Sequence, residues 1–134
     1  GRLDKNTTGL LLLTNDGDMH QYLTHPKNKV PKDYEVEIEG YLNSSYLKKI
    51  EKGIYIGNKE YGKAKIIKQV TLKGRAKVIM RLTQGKKREI RRIFQRINIK
   101  IINLKRIRFC KLSLGNLEIG SYMFLNEKQK KFLM

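Results

Sequence analysis

The chain has 134 residues, and 30 lysines and arginines against 12 aspartates and glutamates give it a formal net charge of +18. This length fits one domain with one core, and a hydrophobic fraction of 40% with only two prolines excludes a disordered polycation. The single cysteine excludes an internal disulfide, two histidines exclude a zinc-type cluster, and no apolar run is long enough to span a bilayer. We therefore expect a monomeric, cytoplasmic protein whose partner is nucleic acid or an anionic membrane surface.

Strands and capped helices alternate in the first half of the chain. The leucine-rich run Gly9–Asn15 predicts a strand that is buried on both faces. Asp16 can cap a short helix that stops before Pro26, because the residue before a proline disfavours helical backbone. Residues 34–39 alternate apolar and acidic side chains, which predicts a strand with one solvated glutamate face that ends at Gly40. Residues 43–53 carry an N-terminal cap, helical apolar spacing and a C-terminal glycine, and so predict a second helix.

Short strands separated by glycine-containing turns dominate the second half. Asn126 is expected to cap a final helical segment, Glu127–Leu133. Turns of the hairpin kind outnumber helical crossovers, so we expect an α+β fold with a mainly antiparallel, mixed sheet and flanking helices. The predicted strands are Ile54–Ile56, Ala64–Val70, Ala76–Leu82, Lys100–Phe109, Lys111–Leu114 and Met123–Leu125.

The positive charge is concentrated between Lys86 and Lys111. This stretch holds eleven cations and one acid, so it carries +10 of the net +18. Ile90, Ile93 and Phe94 recur there at helical spacing, which predicts an amphipathic helix with an arginine-rich outer face. A membrane surface would also fit such a helix, but its apolar stripe is short and is followed directly by another apolar run, Ile99–Leu104, so burial in a core explains it better. A merely solvated basic face is the other alternative, but the predominance of arginine favours phosphate recognition.

Four segments, which make up three motifs, resemble the motifs of one enzyme family. Gly1–Asp4 reads GRLD, and Thr8–Gly17 reads TGLLLLTNDG. Further along, Lys32–Tyr34 reads KDY and Gly85–Phe94 reads GKKREIRRIF. In this order, the segments resemble those of the pseudouridine synthases, in particular the RsuA/RluB/RluE/RluF group, which acts on ribosomal RNA.

The resemblance implies an isomerase with the pseudouridine synthase fold, which uses no metal and no other cofactor. Asp4 corresponds to the family's nucleophilic aspartate, which attacks either the base or the sugar of the target uridine. A carboxylate is a competent nucleophile only when ionised, and Arg91 is the implied cationic partner. Tyr34 is implied to stack on the base and is a candidate general base, and Ile90 is implied to pack against the base.

The substrate of such an enzyme is a uridine within ribosomal RNA, which must be flipped out of its stack before the reaction. By resemblance, Arg2 is expected either to fill the space that the base leaves or to bind the flipped nucleotide's phosphate. Lys87, Arg88 and Arg92 are expected to bind flanking phosphates, with an affinity that falls as salt rises.

Two features bear on the extent of the domain and on its substrate. Members of the group ordinarily carry a strand with a Lys-Pro motif and an S4-type RNA-binding domain before the GRLD motif, so we expect residues 1–134 to be a single, truncated catalytic domain. The segment Arg88–Arg92 reads REIRR, which is more similar to the large-subunit enzymes than to the small-subunit enzyme. We therefore expect large-subunit RNA as the substrate. Many members have Asn at the position of Lys87, and we expect this difference to alter an RNA contact.

Two other functions fit part of the sequence. A non-catalytic RNA-binding module would explain the charge and the basic helix, but not the joint occurrence of Asp4, Tyr34 and Arg91. A helix-turn-helix DNA-binding protein is disfavoured by the strand content. His20, His25 and Cys110 are interpreted as structural or surface residues, because none has further ligands at metal-binding spacing.

Overall fold

The structure is a computed structural model that describes residues 1–134. It contains eight strands and four α-helices, and none of the helices is long and apolar enough to cross a membrane. The elements are β1 (Thr8–Gly9), α1 (Gly17–Thr24), β2 (Lys32–Glu39), α2 (Ser44–Lys52), β3 (Ile54–Gly57), β4 (Glu60–Gly62), β5 (Lys65–Leu72), β6 (Arg75–Leu82), α3 (Glu89–Arg96), β7 (Ile101–Phe109), β8 (Leu112–Ser113) and α4 (Glu127–Lys131).

One six-stranded sheet organises the molecule. Its strand order is β1-β7-β2-β6-β5, and β8 pairs with β7 off this path. All of its pairings are antiparallel except that of β1 with β7, which is parallel. The expected α+β fold with a mainly antiparallel, mixed sheet is therefore confirmed. β2 lies in the middle of the sheet, between β6 and β7. Its apolar residues face the core, whereas its glutamates lie on the opposite face and pair with lysine and arginine.

The basic helix α3 packs on the core face of the sheet. Ile93 and Phe94 are fully buried there, together with Val36 and Ile38 of β2 and Val78 of β6. Truncation of a buried Phe to alanine typically lowers the free energy of unfolding by about 3 to 5 kcal/mol. The core therefore fixes the position of this helix. The apolar stripe predicted from the sequence is therefore the buried face of α3.

The predicted strand Gly9–Asn15 is wrong beyond its first residue. Only Thr8–Gly9 is a strand, and Leu11 and Leu13 are exposed, with 85% of Leu13 accessible. The edge of β7 explains this, because β1 occupies it at Lys105 and Arg106 while β8 occupies it at Arg108 and Phe109. The leucine run thus finds no free edge after Leu10, whose backbone N–H still donates to the carbonyl of Arg106.

The predicted strand Met123–Leu125 is also wrong. These residues form no ladder hydrogen bonds, and Tyr122 and Phe124 are largely exposed, although Leu125 packs against a second, smaller core. An apolar alternation becomes a strand only where a neighbouring backbone is available to pair with it. Conversely, the short strand β4 was not expected, and it forms a separate hairpin with β3.

Gly9 is required by the close approach of β1 to β7. Its φ is +110°, and a Cβ atom built there would lie 2.2 Å from the carbonyl oxygen of Arg106. We expect Gly9→Ala to lower the free energy of unfolding by about 3 kcal/mol or more, because both the backbone conformation and the contact are unfavourable. Urea unfolding measures this loss. Gly17→Ala is the matched control, since nothing lies within 4 Å of that Cβ, and a similar loss there would contradict the explanation.

Candidate active site

Residues of the GRLD, KDY and GKKREIRRIF segments meet at one cavity of about 650 Å³. The GRLD segment lies on one side of it, β2 and the end of β6 form another side, and α3 with its preceding loop closes it. Most of the charged side chains that line it are cations, and only two are carboxylates. The charged residues lining the cavity are Arg2, Asp4, Lys32, Lys86, Lys87, Arg88, Glu89, Arg91 and Arg106.

Asp4 is the carboxylate held between arginines at this cavity. Arg91 donates through Nε to Asp4 Oδ2 at 3.1 Å and through Nη2 to Oδ1 at 3.5 Å. Arg88 donates a further, more exposed bond to Oδ2 at 3.3 Å. Thr7 completes the arrangement, because its hydroxyl donates to Asp4 Oδ1 and also accepts from Arg91 Nη2 at 3.1 Å.

These contacts keep Asp4 ionised. Partial burial acts to raise the pKa of the Asp4 carboxyl, but the hydrogen bonds from Thr7 and Arg91 and the charges of Arg91 and Arg88 outweigh it. The net result is a pKa below the usual value for aspartate. Asp4 is therefore an anion at neutral pH, with its side chain still about a quarter exposed to the cavity.

The backbone before α3 sets the direction of the two arginines. Arg88 adopts a left-handed conformation, with φ of +52°, directly before the first helical residue. Glu89 follows and is buried, and its carboxylate accepts from Lys63 N at 2.9 Å, from Lys86 N at 3.2 Å and from Gln84 Nε2 at 2.8 Å. One buried carboxylate thus joins the loop before α3 to the chain after β4, and so positions the turn from which Arg88 and Arg91 project.

We expect Glu89→Gln to lower the free energy of unfolding by about 2 kcal/mol, because the new amide cannot accept from all three donors and sets one N–H against another. Chemical denaturation followed by circular dichroism gives this value. Glu118→Gln, at an exposed carboxylate without ion pairs, is the control and should change stability by less than about 0.5 kcal/mol. Equal stability of the Glu89→Gln variant and the unsubstituted chain would refute this role for the carboxylate.

Most of the other residues singled out in the sequence also line the cavity. Tyr34 lies on β2 and is half-buried, and it packs against the core that contains Ile93 and Phe94. Ile90 is buried on the first turn of α3, and its side chain contributes an apolar surface to the cavity. Arg2 and Lys87 are exposed at the cavity wall.

Arg92 is the exception, because it lies outside the cavity. Its guanidinium donates to the carbonyls of Ile56, Gly57 and Lys87 at 3.0 to 3.2 Å and pairs with Glu60 at 2.9 Å. Three of these acceptors, Ile56, Gly57 and Glu60, belong to the β3–β4 hairpin, so Arg92 attaches the hairpin to α3, and the fourth lies in the loop before α3. In this geometry Arg92 acts within the protein, and among the arginines of the REIRR segment only Arg88 and Arg91 line the cavity.

Sequence reasoning did not assign roles to Thr7, Lys32 and Arg106. Lys32 precedes Tyr34 by two residues on a strand, and this spacing alone places both on one face. Burial, followed by the charge of Arg106, lowers the pKa of Lys32. Arg106 is buried and donates through Nε to the carbonyl of Leu10 at 2.7 Å, so it holds the chain that follows β1.

The fold and the site together define a class of protein. Residues 1–96 match the family described as RNA pseudouridylate synthase, and that match covers most of the chain. Over its full length the chain is also similar to a solved structure, the crystal structure of pseudouridylate synthase, with a TM-score of 0.87 and 28% identity. That similarity covers 58% of the solved chain. The chain therefore belongs to the RNA pseudouridylate synthase family, as its motifs indicated.

Curated relatives of the chain include enzymes named for both ribosomal subunits. It is 36% identical over 135 residues to ribosomal large subunit pseudouridine synthase B of Bacillus subtilis, and 33% identical over 131 residues to ribosomal small subunit pseudouridine synthase A of Vibrio cholerae. These matches cover 99% and 96% of this chain but 55% of each relative. The chain thus spans about half the length of these curated relatives.

Proposed function

We propose that this chain is a catalytic domain that isomerises a uridine of ribosomal RNA to pseudouridine. The observation that carries the proposal is the ionised Asp4, held by Arg91 and Thr7 at a cavity lined with cations. In the reaction the bond from ribose C1′ to N1 of uracil breaks and a bond from C1′ to C5 forms. C5 loses its proton and N1 gains one, so no atom is added overall.

Asp4 is the nucleophile of this proposal, attacking either the base or the sugar. Arg91 keeps the carboxylate ionised and fixes its direction by two bonds, which a single surface charge would not do. Tyr34 stacks on the uracil and is the candidate general base for the proton at C5. Ile90 supports the base on the apolar side of the cavity.

The uridine reaches Asp4 only after it is flipped out of its stack, which costs a few kcal/mol. In the proposal, phosphate contacts by Lys87 and Arg88 at the cavity rim offset this cost, and Arg2 binds the flipped nucleotide or fills its former place. Arg92 contributes indirectly, by holding the hairpin beside α3. We also propose that the domain acts as a monomer in the cytoplasm, without a metal or another cofactor.

Large-subunit RNA is the proposed substrate, supported by the REIRR sequence of Arg88–Arg92. The deciding experiment measures tritium release from large-subunit and small-subunit transcripts, each containing uridine labelled with tritium at C5. It compares this chain with a version extended at its N-terminus, since the chain spans about half of its curated relatives. Release from one transcript supports the isomerase and identifies the subunit, whereas tight, salt-sensitive binding without release from either transcript supports a binding module.

A further inference from the structure

Two exposed tyrosines form a pair on the outer face of the β3–β4 hairpin. Tyr55 and Tyr61 are direct cross-strand partners, and their ring centroids lie 5.5 Å apart at an interplanar angle of 68°. They are 38% and 57% exposed. The residues that follow them face the core instead, because Ile56 is buried and a Cβ atom built at Gly62 would lie 2.6 Å from Cγ1 of Ile93 in α3. The tyrosine rings are thus not needed to fill the core.

The surroundings of this pair are cationic. The Arg96 guanidinium lies 5.5 Å from the centroid of the Tyr55 ring. Lys59 in the hairpin turn and Lys63 after β4 are both exposed. None of these three cations forms an ion pair, and the nearby Glu60 is already paired with Arg92. Aromatic rings among unpaired cations suit a polyanion that carries aromatic groups.

The tyrosine pair is continuous with the candidate active site. Lys86 lines the cavity, and its Nζ donates to the carbonyl of Tyr61 at 2.7 Å. Gln84, which also lines the cavity, donates to the same carbonyl at 3.3 Å. The backbone that carries Tyr61 is therefore bonded directly to the cavity rim. An RNA strand that left the cavity on the side of Lys86 would therefore meet the hairpin.

We propose that Tyr55 and Tyr61 form a stacking platform for unpaired RNA bases adjacent to the target uridine. Arg96, Lys59 and Lys63 bind the phosphates of the same segment. Every base has a π-face, so stacking on tyrosine binds single-stranded RNA without requiring a particular sequence, and arginine adds cation–π attraction. The inference rests on the proposed function, because it extends the RNA substrate beyond the cavity to a second site.

A salt series separates stacking from charge. The probe is a single-stranded RNA of about a dozen nucleotides that contains one uridine, with the fluorescent base 2-aminopurine placed in turn on each side of it. We expect Tyr61→Ala to weaken binding about tenfold at every salt concentration, with an unchanged slope of log affinity against log salt. It should also abolish the quenching of 2-aminopurine. Arg96→Gln should instead reduce the slope by about one.

Two variants serve as controls. Tyr41 is 61% exposed, similar to Tyr61, but it has no aromatic or cationic partner, so Tyr41→Ala should leave RNA affinity unchanged. Tyr61→Phe keeps the ring and should keep the binding and the quenching. Thermal unfolding of each variant verifies that the fold is intact.

The outcomes for the platform and for the enzyme are distinct. Unchanged affinity and quenching in Tyr61→Ala, with normal tritium release, would overturn the platform and leave the proposed function standing. Tyrosine-dependent binding in a chain that releases no tritium would support the platform and count against the isomerase. If Tyr61→Ala leaves RNA binding intact and instead weakens binding to another protein, the tyrosine pair is assigned to a protein partner and the platform is overturned.

Discussion

Replacing Asp4 by asparagine is expected to lower the rate of tritium release by at least about a thousandfold, because the amide cannot act as the nucleophile. The geometry around the side chain should persist, since asparagine has nearly the same shape. Its amide oxygen can accept from Arg91 Nε in place of Oδ2, and its amide nitrogen can donate to the Thr7 hydroxyl oxygen in place of Oδ1. The loss is therefore a loss of chemistry. Single-turnover kinetics at saturating enzyme would show it as a reduced rate constant.

RNA affinity is the internal control for this variant. Asp4→Asn removes a negative charge from between Arg88 and Arg91, so affinity should be equal to or slightly higher than that of the unsubstituted chain at low salt. Asp18→Asn removes the same charge from an exposed position on α1 and should leave turnover unchanged. Tritium release by Asp4→Asn at a rate within about tenfold of the original would exclude Asp4 as the nucleophile.

Replacing Arg91 by glutamine is expected to lower the rate about a hundredfold at neutral pH and to shift the acid limb of the pH profile upward. Burial continues to raise the pKa of Asp4 in this variant, while the Arg91 bond and charge that lower it are lost. The pKa of Asp4 should therefore be higher in the variant. In the unsubstituted chain the carboxylate stays ionised below the usual pKa of aspartate, whereas in the variant it protonates at a higher pH.

The measurement is the single-turnover rate between about pH 4 and pH 7, the range in which a carboxyl with a raised pKa titrates. Arg91→Lys keeps the charge but loses the two-atom contact, so its acid limb should shift less while its rate still falls. Arg88→Gln is the comparison variant, because Arg88 makes one exposed bond of 3.3 Å to Asp4 and should have a smaller effect on both. An Arg91→Gln profile parallel to the original would show that Arg91 does not control the protonation of Asp4.

Local patterns were sufficient for much of the fold. The alternation over residues 34–39 predicted the central strand β2, and the caps at Asn43 and Gly53 placed α2 within one residue of its observed ends. The apolar stripe of the basic segment located α3 and its buried face. These elements depend on periodicity and on hydrogen bonds within a few residues, which are contained in the sequence itself.

The two strand predictions that were wrong failed because no free sheet edge was available to these segments. The leucine run and Met123–Leu125 have strand-like composition, but strand formation requires a partner backbone from a distant part of the chain. β7 offers its outer edge to β1 and to β8, which leaves the residues after Leu10 without a place in the sheet. No local pattern contains that information.

The sequence by itself determined the family, through motifs whose residues match in identity and order, and the fold class, through the mixture of short strands and capped helices. It also placed Asp4, Tyr34 and Arg91 in one candidate site by resemblance. Only the tertiary structure decided which cations face the cavity. Arg91 and Arg92 are neighbours in sequence, yet the turn of the helix directs one to Asp4, 87 residues away, and the other to the β3–β4 hairpin. Similar side chains acquire different roles because helical geometry and the packing of α3 on the sheet fix their directions.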